Sequence, residues 1–252
     1  MHNNQQLLKN KPTMKKLLFS LSIAALAATG ANAQRIINNP DNKPFWGIRA
    51  SLDISNPTEL KYDDFKFDAF DKGVGFSVGA VYNIPIVANL YFEPGVSLFY
   101  NTWKWTYIED FIGELPSNFK TKHNSLRQTG IRIPLNLGYH FDFTKDFKVS
   151  VFTGPQLEAG FSCDSYVTVE AKAGNFSKEI HVAPSCYKDY DDEGPALNRF
   201  QAYWNIGVGF TYQKFYLGVT GQLGMTDFVH NEKGEDVKSH MNRCSIALGY
   251  NF

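Results

Sequence analysis

The chemistry-bearing residues of this chain are six histidines, three cysteines and one acidic run, Asp189-Tyr-Asp-Asp-Glu193. Catalysis by a side-chain nucleophile needs a base within hydrogen-bond reach and a third group to orient that base. His2 lies in a polar amino-terminal stretch, His123, His181, His230 and His240 lie in loop-like segments, and His140 sits on the polar side of an alternating segment. None stands in a Ser/His/acid spacing, and the sequence gives no reason to expect an enzyme. The acidic run offers the hard oxygen ligands that calcium takes. It lacks the glycine and the ligand spacing of an EF-hand loop, so it reads as a solvated acidic loop. No Cys/His spacing resembles a zinc site, and no metal or cofactor is expected.

The cysteines say more about compartment than about catalysis. Met14-Lys-Lys leads into an apolar run from Leu17 to Ala28 and then Ala31-Asn-Ala33. That is the charged, apolar and small-residue pattern of a secretory signal peptide. The run is shorter than the roughly 20 apolar residues of a membrane-spanning helix. Residues 1–33 therefore read as a presequence, with the signal peptide at 14–33 and the mature domain at 34–252, starting at Gln34. An exported chain meets oxidising conditions, and Cys163 and Cys186 share one long polar segment while Cys244 lies near the carboxyl end. A Cys163–Cys186 disulfide and three unpaired thiols are the two readings this leaves. The formal charge is balanced, with 25 basic and 25 acidic residues. Four of those lysines (Lys9, Lys11, Lys15, Lys16) belong to the presequence. Without them 21 basic residues face 25 acidic ones, a net charge of about −4, which argues against a nucleic-acid partner.

The elements that must position these residues are strands. In the last twelve residues Cys244, Ile246, Leu248, Tyr250 and Phe252 alternate with Arg243, Ser245, Ala247, Gly249 and Asn251. A strict two-residue period puts the two sets on opposite faces of an extended chain. Seven earlier segments repeat it, near 45–54, 73–84, 90–101, 128–141, 149–161, 200–212 and 215–225. Helical periodicity is absent outside the presequence. Connections alternate between short (Pro85 to Asn89, Asp142 to Lys148, Gln213-Lys214) and long (about 55–72, 102–125, 163–198 and 227–240). That is the plan of up-and-down hairpins with every long loop at one end. The fold class is thus all-β, an eight-stranded antiparallel up-and-down transmembrane β-barrel.

The faces separate a membrane barrel from a soluble one. A soluble barrel turns its polar set to water, and that set should then be rich in Lys, Glu and Thr. Here the polar set is dominated by glycine with isolated charges and amides, as a narrow, side-chain-filled interior requires. The apolar set is bulky and turns aromatic near the strand ends, as an interfacial girdle does. Pro94, Pro134 and Pro155 fall inside strands, where each removes a ladder hydrogen bond, so bulges are expected there.

Phe92-Glu-Pro-Gly95, Ile131-Arg-Ile-Pro-Leu-Asn-Leu-Gly-Tyr139, Gly154-Pro155, Ile206-Gly-Val-Gly209 and Leu248-Gly-Tyr-Asn-Phe252 resemble the PorT-type outer-membrane β-barrel family of Bacteroidetes. The resemblance covers nearly the whole mature chain, and its motifs build a barrel without carrying chemistry. It implies an outer-membrane location in a Gram-negative bacterium, with both termini periplasmic. It also implies a porin-like barrel whose family namesake takes part in protein secretion. The terminal aromatics Tyr250 and Phe252 resemble the signal that the barrel-assembly machinery reads in its clients.

Within that barrel the candidate site is the lumen. Asp53 and Arg243 lie at similar heights on strands that closure makes neighbours, and Arg132 and Glu158 do so on the fourth and fifth. Arg49 and Glu93 lie lower, across the barrel. A charge in a narrow interior must be paired and hydrogen-bonded, so at least one of these pairs should be an ion pair. The long loops carry an acidic excess and many aromatics (Phe65, Phe67, Phe70, Phe111, Phe119, Tyr187, Tyr190). They suggest a surface that meets an extracellular protein or a glycan. Lipid is the partner of the outer wall. The leading function is a structural or binding barrel, or an accessory of envelope assembly. A small diffusion channel and an outer-membrane lipid-modifying enzyme are the alternatives, and the strand number opposes the channel, since open pores take about 16–18 strands.

Overall fold

The computed structural model describes residues 42–62, 65–104, 119–171, 177–183, 185–188, 197–230 and 237–252. The presequence and the acidic run at 189–193 lie outside them. Alternating sequence becomes strand throughout: β1 Phe45–Pro57, β2 Leu60–Tyr62, β3 Phe65–Phe67, β4 Gly73–Val87, β5 Leu90–Trp103, β6 Phe119–Asp142, β7 Phe147–Ala171, β8 Ser177–Ala183, β9 Phe200–Tyr212, β10 Phe215–Gly224, β11 Val237–Lys238 and β12 Met241–Asn251. Eight of them close a ring in the order β1–β4–β5–β6–β7–β9–β10–β12 and back to β1, every neighbour antiparallel. This is the expected eight-stranded up-and-down barrel. The turns at Ala88-Asn89, 143–146 and Gln213-Lys214 sit at one end with both ends of the described chain. Ala88 (φ 50°) and Gln213 (φ 54°) take the left-handed conformation at the two tightest of them.

The apolar set faces outward. Trp46, Ile48, Leu52, Val74, Phe76, Leu98, Leu157, Ile206, Leu217 and Leu248 are exposed, and Asp53, Arg132, Asn136, Glu158, Asn205 and Arg243 are buried. Water would oppose this inversion and lipid rewards it. Aromatic pairs ring the short-turn end: Trp46 with Tyr82, Tyr139 with Phe141, and Tyr250 with both Phe215 and Phe252. The terminal aromatics therefore stand at the interface where a girdle belongs.

Two expectations need correction. The three prolines do not make bulges. Pairing lapses between Val81↔Gly95 and Ile84↔Phe92, between Pro94↔Leu135 and Ser97↔Arg132, and between Pro134↔Gln156 and Leu137↔Thr153. In each case it resumes in unchanged register. Each proline forfeits its bond to one neighbour only; Pro155 stays paired with Trp204 on its other side, which holds the strand in phase. The second correction concerns the long connections at 102–125 and 163–198. Much of this chain is strand, because β6 and β7 run to 24 and 25 residues where about 9–11 suffice to cross a bilayer. β8 pairs with the far end of β7 and widens this arm to three strands.

The membrane edge on the arm is marked by a bulge. Thr129 pairs with Ser162 while Gly130 pairs with Gly160, leaving Phe161 as the extra residue. Before it, the even-numbered residues Phe152, Gln156 and Glu158 of β7 are buried; after it, the odd-numbered Cys163, Ser165, Val167 and Val169 are. The outward set changes at the same point from Leu157 and Phe161 to Asp164, Thr168 and Glu170. Ten residues, Ser162–Ala171, thus stand beyond the lipid belt, about 34 Å of chain at about 3.4 Å per residue.

Candidate functional site: a filled lumen and its covered mouth

Four lumen charges meet in one network. Arg132 of β6 donates from Nε to Glu158 Oε2 of β7 at 2.9 Å and from Nη1 to Asp53 Oδ2 of β1 at 2.5 Å. Arg243 of β12 donates from Nη1 to the same Glu158 Oε2 at 3.0 Å and to Gln222 Oε1 at 2.9 Å. Ser245 donates to Asp53 Oδ1 at 2.6 Å, and Ser51 does so at 2.9 Å. The four charged residues are at most 4 % exposed, and their two positive and two negative charges balance. The guanidinium of Arg132 lies 4.4 Å from the Phe99 ring centre and that of Arg243 5.0 Å from Tyr203.

Arg132 and Glu158 are thus the expected pair, opposite one another in the β6–β7 register. Asp53 and Arg243 join the same network without bonding each other. The β1–β12 register sets Ser245 opposite Asp53 and Ser55 opposite Arg243, two residues away from a direct match. Asp53 therefore reaches across the barrel to Arg132. Arg49 and Glu93 make no direct ion pair. Arg49 lies over the Tyr216 ring at 4.0 Å and donates to the Ile48 carbonyl, while Glu93 accepts from Asn83 at 3.2 Å. A cavity of about 110 Å³ of mixed lining, with Arg49, Ser51, Ser77, Glu93 and Asn136 beside Val96 and Phe152, lies between them and the upper network, whose Arg132 and Ser245 also border it. Toward the short turns, Tyr91 and His140 stack at 4.0 Å, both buried. Gly138 makes that possible, since a Cβ there would meet the Tyr91 ring.

The opposite mouth is covered by an apolar cluster that sequence periodicity did not reveal. Trp103, Leu126, Cys163, Cys186, Tyr187, Leu197, Tyr203, Phe228 and Met241 form it, with Phe70 and Val229 packed against them. Phe70 and Tyr187, expected among the outward-looking loop aromatics, are part of this cover. Tyr187 accepts a hydrogen bond from Gln128 Nε2 at 2.5 Å and lies on Gly160, where any Cβ would collide with its ring. Burial pushes the Tyr187 hydroxyl well above its usual range. Cys163 and Cys186 are free thiols in this structure, both buried, and Cys244 points outward on β12. Above the cover the arm is polar: Arg127 binds Glu179 of β8 through both guanidinium Nη atoms and lies 4.2 Å over the Tyr166 ring.

Little here resembles a reacting centre. His140 Nδ1 is 2.8 Å from Ser150 Oγ, but both are buried beneath Tyr91, and Asn83 rather than a carboxylate lies 3.4 Å from Nε2. His230 and His240 bond Asn198 and the Thr226 carbonyl. Among the described residues no three His, Cys, Asp or Glu side chains gather as a metal site. Among the described residues, two polar layers and an apolar cluster occupy the barrel axis, with a cavity of about 110 Å³ between the layers.

Residues 27–230 match the family of the outer membrane protein beta-barrel domain. No curated protein matches the chain. Among solved structures, it is similar to the attachment invasion locus protein Ail of Yersinia pestis, solved with the heparin analogue sucrose octasulfate (10% identity, 84% of this chain and 100% of that one, TM-score 0.38). Neisserial surface protein A gives 12% identity over 84% of this chain and 100% of that one, with a TM-score of 0.38. OprG of Pseudomonas aeruginosa gives 12% over 82% and 95%, again with a TM-score of 0.38.

Proposed function

For a chain that belongs to the outer membrane protein beta-barrel domain family and resides in the outer membrane, we propose a binding and assembly role exercised by the β6–β7–β8 arm above a barrel that does not conduct. The observation that carries this reading is the contrast between the two halves. The lumen is closed by the neutral Asp53–Arg132–Glu158–Arg243 network and the cluster above it. The arm, by contrast, extends β structure well past the lipid belt and fixes it with the Arg127–Glu179 pair. A barrel that only anchored itself would need no such extension. The partner is a protein or glycan at the cell surface. The resemblance to PorT-type barrels favours a protein of a secretion or envelope assembly.

A photo-crosslinking residue in place of Lys178, exposed on β8, tests this on whole cells. The expected result is a discrete adduct from Lys178 and none from Lys214 at the short-turn end. Absence of any Lys178 adduct, together with steady ion conductance of the purified barrel in planar bilayers, would replace this reading by the channel.

A further inference from the structure

The structure brings two thiols together within the cluster that covers the mouth. The Cys186 amide donates to the Cys163 carbonyl at 2.7 Å. This bond and their shared place in the mouth cluster set the two residues side by side, as a disulfide, whose Cα atoms lie about 4.4–6.8 Å apart, requires. Both side chains lie in the apolar cluster, buried from water. Cys244 cannot compete, because it faces lipid from β12, opposite Ile54 on one side and Gly221 on the other.

The next residue gives the pair its purpose. Tyr187 enters the mouth, bonds Gln128 and occupies the space that Gly160 leaves by having no side chain. Its own amide donates to Ser185 Oγ at 3.3 Å, within the same turn, and the contacts that tie this turn to the rest of the mouth are made by Cys186: the bond to Cys163, and the Leu197 amide donating to the Cys186 carbonyl at 3.0 Å. We propose that Cys163 and Cys186 are joined by a disulfide in the exported protein, and that this bond fixes Tyr187 in the barrel mouth as a stopper. The bond forms by exchange with a thiol–disulfide oxidase of the envelope. A Cys163–Cys186 S–S bond forms as the oxidase's S–S bond breaks, and the two thiol hydrogens with their electrons leave on the oxidase as a dithiol. Since the finished site is dry, the exchange belongs to the folding stage, before the cover closes.

The inference rests on envelope location and on the geometry of the mouth, and is independent of what the arm binds. Protein taken from outer membranes, denatured unreduced and alkylated with N-ethylmaleimide should carry one adduct, on Cys244, and yield a peptide linking Cys163 to Cys186. Three adducts per chain would overturn the disulfide. Hydrogen exchange in detergent tests the stopper: the Cys186 and Leu197 amides should exchange at least tenfold faster in the Cys163→Ser/Cys186→Ser double variant than in wild type. Should that variant not fold, wild-type protein refolded under reductant supplies the same comparison. Equal exchange in the bonded and unbonded forms would overturn the stopper.

Discussion

Replacing Glu158 by Gln is the most informative single change in the lumen. It keeps the size and shape of the side chain but removes one of two negative charges from a network that is neutral and at most 4 % exposed. Oε2 of Glu158 accepts from both Arg132 and Arg243, so the variant leaves two guanidinium groups facing Asp53 alone, a buried excess of one positive charge. Breaking a buried pair from one side costs about 3–5 kcal/mol. The charge-restoring double variant Glu158→Gln/Arg243→Gln removes a whole pair and should lie within about 2 kcal/mol of wild type, because exchanging an intact buried pair for neutral groups is often close to neutral. Urea titration of protein folded into vesicles, read by tryptophan fluorescence and by heat-modifiable gel mobility, gives both numbers. A single variant costing under about 1 kcal/mol would show that water reaches the site. A double variant costing the sum of the two singles would refute the claim that they act through one network.

The remaining predictions use other parts of the barrel. Cysteine at Lys178 should react with an impermeant maleimide on whole cells and cysteine at Lys214 should not; the opposite pattern would invert the orientation. Phe252→Asp removes the last outward aromatic and places a charge in the girdle, so folded, heat-modifiable protein in the membrane should fall several-fold; undiminished levels would detach this residue from assembly. Gly160→Val should expel Tyr187 and so speed hydrogen exchange at Cys186 and Leu197, at a cost of about 1–3 kcal/mol for overpacking; unaltered exchange would show that Tyr187 does not depend on that space.

The barrel wall was legible because lipid imposes the same two-residue alternation on every strand, and Phe200–Tyr212 displays it without interruption. The Arg132–Glu158 pair was legible too, since both lie on hairpin-connected strands whose register the short turn sets. The contact of Asp53 with Arg132 was not, because a partner across the lumen depends on strand tilt and on how far each side chain reaches. Arg49 escaped Glu93 for a local reason: Gly47 and Gly249 leave room beside its own strand for the guanidinium to settle on Tyr216. The proline rule failed in a different way. It foresaw lost hydrogen bonds, which occur, but took slippage to follow, whereas each of these three prolines keeps its pairing with the strand on its other side. The mouth cluster left no periodic trace, since Phe70, Trp103, Leu126, Tyr187, Leu197 and Phe228 come from six separate segments.

The bulge at Phe161 acts as a change of phase. On β7, even numbers mean interior up to Gly160 and odd numbers mean interior from Cys163 onward, so one unpaired residue re-addresses every side chain beyond it. Without it the same ten residues would turn Cys163, Ser165, Val167 and Val169 outward and bring Asp164 and Glu170 inward. The thiol would leave its partner, and the mouth would acquire two carboxylates. A single residue's worth of chain length therefore separates a barrel that closes over itself from one that opens onto an acidic throat. Length variation at this point would switch between the two without any substitution in Ser162–Ala171.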